Sequence, residues 1–584
     1  MLRIADAQTQ RAIYLIDTSE VAARLETALA LRPQGRPRTL PLRTFLIGAL
    51  LSIETLRSFK TTAIQRVLTE GLSLPMQWQL GIRRQGTDGT TVVLAKSPID
   101  CLVKTISRRL TYSHAGRDHY QLDIDDDELQ RRQAALQDAL DRLLDATKVT
   151  DGTGWFALDG SNVWAWGLAP RKVLDPVDIR EKEHVGGPER HEPTGPTSPS
   201  TPDLERTPDE LLDAILANQP DPDTEAQHEH SATRPDVTPS GYDHDAAIGS
   251  MTAKHSGRQA FFGYVMDAAI RVAPPGQDTV PMLVERLRIS PASTDVVAPS
   301  LDMLDSLAAT GTTISDICVD RHYSYKKVQR WADELRKRRI NQHFTLRSDE
   351  QGFKDVNGMR MAAGWLHCPS TPDRLADIPW PGPGASRADR DRFATRIAQR
   401  QHYAMDRHER TNHNGRSRWM CPAMAGKLGC PLRDGTVEIA RQAGLPIISD
   451  PPDPATAPAC CTNTSGVVAA RVEELRKHDQ PHYWGSDAWK QAYDRRTYVE
   501  GLFGSIKNSD TEGATRGFTK YRGAAHDLAR PHPRRRRRQH PPPTQALPRP
   551  ARRPRPSPTH PRPSRPRLDP THRRRSRRPR PPPP

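Results

Sequence analysis

Tyr493–Lys507 reads YDRRTYVEGLFGSIK, and the interpretation of the fold turns on what this stretch presents. A helix advances about 100° per residue. With Glu500 set at zero, Tyr493 falls at roughly +20°, Arg496 at about −40° and Lys507 at about −20°. One narrow face therefore carries an acid, two cations and a phenol. A carboxylate that holds Mg²⁺, flanked by groups that bind phosphate oxygens, suits phosphoryl transfer. A solvated charged helix face gives the same pattern with no chemistry attached, so the meaning of the stretch depends on partners elsewhere in the chain.

The spacing Y-x2-R-x3-E-x6-K, filled by Tyr493, Arg496, Glu500 and Lys507, resembles the signature around the third acidic residue of DDE-type bacterial insertion-sequence transposases. The resemblance implies an RNase-H-like α/β catalytic core whose first two acids lie upstream. WFALDGSNVWAWG, from Trp155, reads as a short apolar strand, a turn at Asp159-Gly160, and a second strand with Val163, Trp164 and Trp166. A carboxylate at the end of a buried strand is where such a sheet presents its first metal ligand, which makes Asp159 the candidate. A plain Asp-Gly hairpin turn is the alternative. In TTISDICVDRHYSYKK, residues Ile314, Ile317, Cys318 and Val319 lead as a strand into Asp320, and a helix is expected from Ser324. An acid at the C-terminal end of a strand is a usual place for a ligand-binding side chain. Asp316 is a local rival, because alternation points it to the same sheet face. VDRHYS resembles the second-acid motif of the same transposases and favours Asp320.

The resemblance further implies a mechanism. Asp159, Asp320 and Glu500 would hold two Mg²⁺ ions, with Mn²⁺ as a substitute, about 3.5–4 Å apart. One ion activates water to hydrolyse the phosphodiester at the end of the element, and the freed 3′-OH attacks target DNA. Arg496 and Lys507 would bind backbone phosphates, and Tyr493 would hydrogen-bond to DNA or stack on it. Two copies would meet as a homodimer in a synaptic complex, because an element has two ends. Such families often carry a strand after the first acid with a basic residue before it; Ala260–Val272 and Lys254 fit this. Two rival readings are a decayed copy that only binds DNA, and a nuclease that cuts without joining.

Composition limits the rest. A chain of 584 residues with no run of about 18 apolar residues holds two to four domains and is expected to be soluble. MLRIADAQTQ lacks a signal-peptide core, so the expected location is cytoplasmic and nucleoid-associated, with no membrane partner. The net charge of +16 is misleading. Of the 86 Lys and Arg, 19 lie in residues 527–584, with only 2 of the 70 Asp and Glu; residues 1–526 keep 67 basic and 68 acidic side chains, a net of −1. DNA binding by the body must therefore come from local patches.

Residues 1–150 read as a helical domain for DNA-end binding or dimerisation, with buried helices at 41–59 and 59–72 and a leucine stripe through Asp126–Thr147. Residues 151–188 begin the core. Residues 189–240 are rich in Pro, Ser, Thr, Asp and Glu and read as a disordered linker, with one short helix at 207–219. Residues 241–335 continue the core, with a strand at 282–289 and a helix at 301–310. Residues 336–480 exceed what such a core needs and read as an insertion domain, and residues 481–526 return with the third acid on a helix that Ser486 and Asp487 can cap.

Within the insertion, 347–369 looks β-rich. Residues 386–419 carry many Arg and His and few apolar residues, which suggests a mobile basic loop that tracks DNA or is merely solvated. Cys368, Cys421, Cys430, Cys460 and Cys461, with His367 nearby, could hold a structural Zn²⁺. Their spacing matches no recognised finger, and buried reduced cysteines are the competing reading. Residues 527–584 hold 19 Pro and 19 Arg and no aromatic residue. Such a tail cannot pack. It reads either as an Arg-rich disordered segment that binds nucleic acid or as the product of a frameshift in a GC-rich gene.

Overall fold

The computed structural model describes residues 2–29, 38–119, 121–148, 154–165, 243, 245–253, 257–277, 280, 283–382, 384–409, 411–412 and 415–507. The expectations for Lys254, Trp166, the 189–240 linker with its 207–219 helix, and the 527–584 tail fall outside these residues. No helix among the described residues is long and apolar enough to cross a membrane.

The architecture is mixed α/β. Helices dominate up to residue 145 and, among the described residues, are interrupted by one short hairpin, Arg83–Gln85 against Thr91–Val93. The last of these helices, α1 (Asp126–Asp145), is capped by Asp125, whose carboxylate accepts the Glu128 N–H at 2.7 Å. Its leucine stripe serves two cores. Leu136 and Ala139 pack among the N-terminal helices, whereas Leu140 and Leu144 pack against the sheet that follows. Buried ion pairs fasten the same helix to the sheet: Arg286 to Asp145 and Arg288 to Asp141, each at 2.8 Å.

The sheet has six strands: β1 (Gly154–Trp164), β2 (Ala247–Ala253), β3 (Gly257–Val272), β4 (Val284–Pro291), β5 (Ile314–Cys318) and β6 (Asn341–His343). The order is β2-β3-β1-β5-β6, and β4 pairs with the second half of β3. β1 runs antiparallel to β3 and parallel to β5, and β5 is parallel to β6. Between β4 and β5 the chain crosses over through α2 (Val297–Ala309). Alternation along β1 divides the core. Phe156 and Leu158 meet Met303, Leu304 and Leu307 of α2 on one face. Ala157 and Val163 meet α4 (Thr497–Lys507) on the other. That helix buries Val499, Leu502, Phe503 and Ile506 almost completely, which is worth on the order of 6–10 kcal/mol of apolar transfer.

Several expectations are corrected here. No turn occurs at Asp159-Gly160; β1 runs straight through, with Asp159 opposite Ala268 and Gly160 opposite Asp267 on β3. Glycine is needed at that point because a Cβ on Gly160 would lie 2.7 Å from Asp267 Oδ1 and 2.9 Å from Val265 Cγ1. No α-helix starts at Ser324: a 3₁₀ turn, Arg321–Tyr325, follows Asp320, and the next helix is Ala332–Lys337. The insertion does not begin at 336, because Asn341–His343 joins the sheet as β6; a three-residue strand is too short to show a period. Arg387–Tyr403 is a helix rather than a basic loop. It is capped by Ser386 and buries Phe393, Ile397, Arg400 and Tyr403, one residue per turn along a single face.

Candidate active site

The register of the two parallel strands brings the first two acids together. Ala157 on β1 pairs with Cys318 on β5. Two residues further along each strand direction stand Asp159 and Asp320, and alternation returns both to the face that α4 covers. Asp320 caps the 3₁₀ turn after β5, accepting the His322 N–H at 2.7 Å. Asp159 Oδ1 accepts the N–H of Gly160 at 2.8 Å.

The third acid arrives by a broken route. Tyr493–Lys507 is not one helix: α3 (Asp487–Tyr493) ends at Tyr493, a 3₁₀ turn spans Asp494–Arg496, and α4 begins at Thr497. Ser486 caps α3, accepting the Trp489 N–H at 3.2 Å. Despite the break, Arg496 still gathers the signature. Its guanidinium donates to Asp159 Oδ2 at 3.0 Å and to Glu500 Oε1 at 2.5 Å. It also lies 5.8 Å from the centre of the Tyr493 ring. Trp489 stacks flat on Tyr493, with ring centres 4.9 Å apart. Lys507 occupies the last described position of α4, about two turns beyond Glu500.

Electrostatics follow from this crowding. Burial, then the charge of Asp320, pushes the Asp159 carboxyl up to about 7, against the pull of Arg496 and the Gly160 N–H. Burial works against the Arg496 cation, but Tyr493, Asp159, Glu500 and Asp320 together hold it charged well above the ordinary range. Burial also raises the Tyr493 phenol. The rival Asp316 is engaged elsewhere. It sits 3.0 Å from His343 Nε2, and that ring stacks on Trp155 at 4.8 Å.

Among the described residues, no three His, Cys, Asp or Glu side chains stand close enough to share one ion. The charge between Asp159 and Glu500 comes from Arg496. The Asp159 carboxyl is driven towards neutrality by burial and by its acidic neighbour, a cost that a nearby cation would relieve.

One group was missed in the sequence. Asp267, an acid inside the apolar run YVMDAAI, lies on β3 opposite Gly160. Burial, then the charge of Asp159, pushes it up to about 8, and its Oδ1 has no hydrogen-bond partner among the described residues. A lone acid within the apolar run from Tyr264 to Ile270 was the available signal.

No family model, curated protein or solved structure matches the chain.

Proposed function

We propose that the chain is a metal-dependent phosphoryl-transfer enzyme acting on DNA, built on an RNase-H-like core. Within that class we read it as a DDE transposase that cleaves the ends of an insertion sequence and joins them to target DNA. One observation carries the reading: Arg496 bonds to both Asp159 and Glu500, residues far apart in sequence, while Asp320 stands two residues beyond the end of the strand parallel to that of Asp159. The strand order β2-β3-β1-β5-β6, with β4 on β3 and a helix packed on each face, supports the RNase-H-like part of the proposal.

In this reading Asp159, Asp320 and Glu500 hold Mg²⁺. When bound, the metal supplies an activated water and stabilises the attacking and leaving oxygens of phosphoryl transfer. Arg496 neutralises the acids before DNA arrives and is then free to turn to a backbone phosphate, where its planar fork suits two oxygens. Tyr493, fixed by Trp489, limits the directions in which Arg496 can swing. Lys507 extends the cationic track along α4. A dimer pairing two DNA ends completes the proposal.

The test uses the purified full chain and DNA carrying the flanking ends of its own gene, with Mg²⁺ or EDTA, and Glu500→Gln in parallel. Cleavage at an end that requires Mg²⁺ and is lost in Glu500→Gln is the expected result. Binding without cleavage by folded protein would favour a DNA-binding remnant, and cleavage without strand joining would favour a nuclease.

A further inference from the structure

A cleft of about 210 Å³ lies between the helix Ala332–Lys337 and the segment added after β6. Arg336, Arg339, Arg476, Asn341, Thr411 and Asp479 line it, and the buried Leu335 and Ile340 complete the wall. It stands apart from the catalytic carboxylates. Asn341 pairs with Asp316 on β5, and Asp320 comes four residues later, about 13 Å along the strand direction.

The cations of this cleft outnumber its acids. One carboxylate, Asp333, serves both Arg336 and Arg476. Asp479 is taken by Arg407. Arg339 is exposed and has no acid within ion-pair distance among the described residues. Its neighbour Arg338, by contrast, holds Asp305 and Glu334, each at 2.7 Å. Arg336, Arg339, Arg407 and Arg476 thus stand against Asp333 and Asp479, four cations to two acids, a net of +2.

Arg339 also sits where its backbone disfavours it. The helix closes with two bonds, from the Arg339 N–H to the Arg336 carbonyl and from the Ile340 N–H to the Leu335 carbonyl, each at 3.0 Å. This closure puts the residue after the C-cap in the left-handed region, the usual place for glycine, and Arg339 has a φ of +58°. An L side chain there costs free energy that glycine avoids. A cation at a helix C-terminus is favourable, but Arg336, Lys337 and Arg338 already occupy that end. Surface arginines are normally just solvated. One held in strained backbone, unpaired, on the wall of a cationic cleft points to a ligand instead.

We propose that this cleft binds a phosphate group, carried by a nucleic-acid backbone or by a free nucleotide, with Arg336, Arg339 and Arg476 as its ligands. Several guanidinium forks around one cleft suit a tetrahedral oxyanion, whose oxygens point in different directions, better than a planar carboxylate. The volume lies below the roughly 300–1,000 Å³ of sites that enclose a drug-sized ligand, so the phosphate enters and the rest of its molecule stays outside. Asp333 holds Arg336 and Arg476 in place, and Arg339 supplies the uncompensated charge.

The test uses the full chain freed of divalent ions, which keeps it independent of the carboxylate site. Inorganic phosphate, added at constant ionic strength, should raise the unfolding midpoint saturably. Arg339→Gly and Arg339→Asn should weaken this binding at least about tenfold. Both variants should unfold, without phosphate, at the parent's temperature or above, since both residues accept left-handed backbone. Arg338→Gln, which removes the same charge one residue away, should bind phosphate as the parent does. Phosphate held by the arginines of residues 527–584 would be indifferent to position 339. A short DNA duplex and ATP are then compared as competitors. Displacement by the duplex, with the salt slope of duplex binding reduced by about one in Arg339→Gly, assigns the phosphate to a DNA backbone. Displacement by ATP alone assigns it to a free nucleotide. Absence of a saturable phosphate effect overturns the proposal. Binding unchanged in Arg339→Gly, or an equal loss in Arg338→Gln, does so as well.

Discussion

Arg496 Nη1 lies 3.0 Å from Asp159 Oδ2, although 337 positions separate the two residues. This contact joins the strand at the centre of the sheet to the turn that launches α4. Arg496→Gln removes the cation while leaving Asp159 buried beside Asp320. The unpaired carboxylate is costly when ionised and far less so when protonated. Urea denaturation should therefore show a loss on the order of 2 kcal/mol at pH 8 and a clearly smaller one at pH 5. Equal losses at both pH values would mean that the contact contributes packing rather than charge.

Asp159 itself supplies a pH signature. Its folded-state value, about 7, stands above the ordinary 3.8, so the folded chain binds more protons between those limits. The group's contribution is fully present below pH 4 and is lost as pH rises through about 7. Burial sets this first, then Asp320 and Glu500 in the same direction, with Arg496 and the Gly160 N–H opposing. Asp159→Asn abolishes the slope. It should match the parent chain near pH 4 and exceed it by about 2 kcal/mol near pH 8, after allowance for solvent screening. Asp267→Asn should act in the same direction, since Asp267 is raised to about 8. A variant no more stable than the parent at pH 8 would show that Asp159 is not held under strain.

The sequence carried the acids more clearly than the geometry that joins them. Strand β5 leading to Asp320, and the apolar side of α4 below Glu500, are legible because a buried strand or helix face repeats with its own period. Asp159-Gly160 was misread because Asp-Gly is a strong hairpin signal. Only the neighbouring strand reveals that this glycine makes room for Asp267 and Val265. The break at Asp494–Arg496 leaves no proline or glycine to mark it. The helix Arg387–Tyr403 was hidden by its charge, since Arg400 takes a buried position where a leucine would have been recognised. Its guanidinium donates to the Tyr483 hydroxyl at 2.9 Å, a partner that lies outside any local window.

Glu350 offers a test of how the added segment supports the site. Its carboxylate accepts from Ser324, in the turn after Asp320, at 3.2 Å, and from the Arg347 N–H at 3.1 Å, and it faces His478 Nε2 at 3.1 Å. Burial raises this carboxyl, but His478 and the Arg347 N–H outweigh it and bring it down to about 2. The folded value lies below the ordinary 4.5, so the stabilisation is present above that pH and is lost as pH falls towards about 2. Glu350→Gln should cost on the order of 2 kcal/mol at pH 7, with the difference from the parent shrinking below pH 4. Thermal unfolding across that range measures it. A constant difference would assign the loss to shape alone.

The exposed side of α4 gives the sharpest separation of stability from function. Thr497, Glu500, Gly501 and Gly504 are exposed, and a Cβ added at either glycine meets no heavy atom of the described residues within 4 Å. Nothing among the described residues therefore asks for glycine there, yet each glycine weakens a helix by about 1 kcal/mol relative to alanine. The bare strip adjoins Glu500, proposed as a metal ligand at the DNA-cleavage site, and a backbone without side chains lets another backbone come close. Gly504→Ala should raise the unfolding midpoint by a few degrees while weakening binding to end-containing DNA by about tenfold or more. Gly501→Ala should behave alike. Higher stability with unchanged DNA affinity would remove DNA from this face of α4. Unchanged stability would show that α4 does not hold its helical form in solution around Gly504.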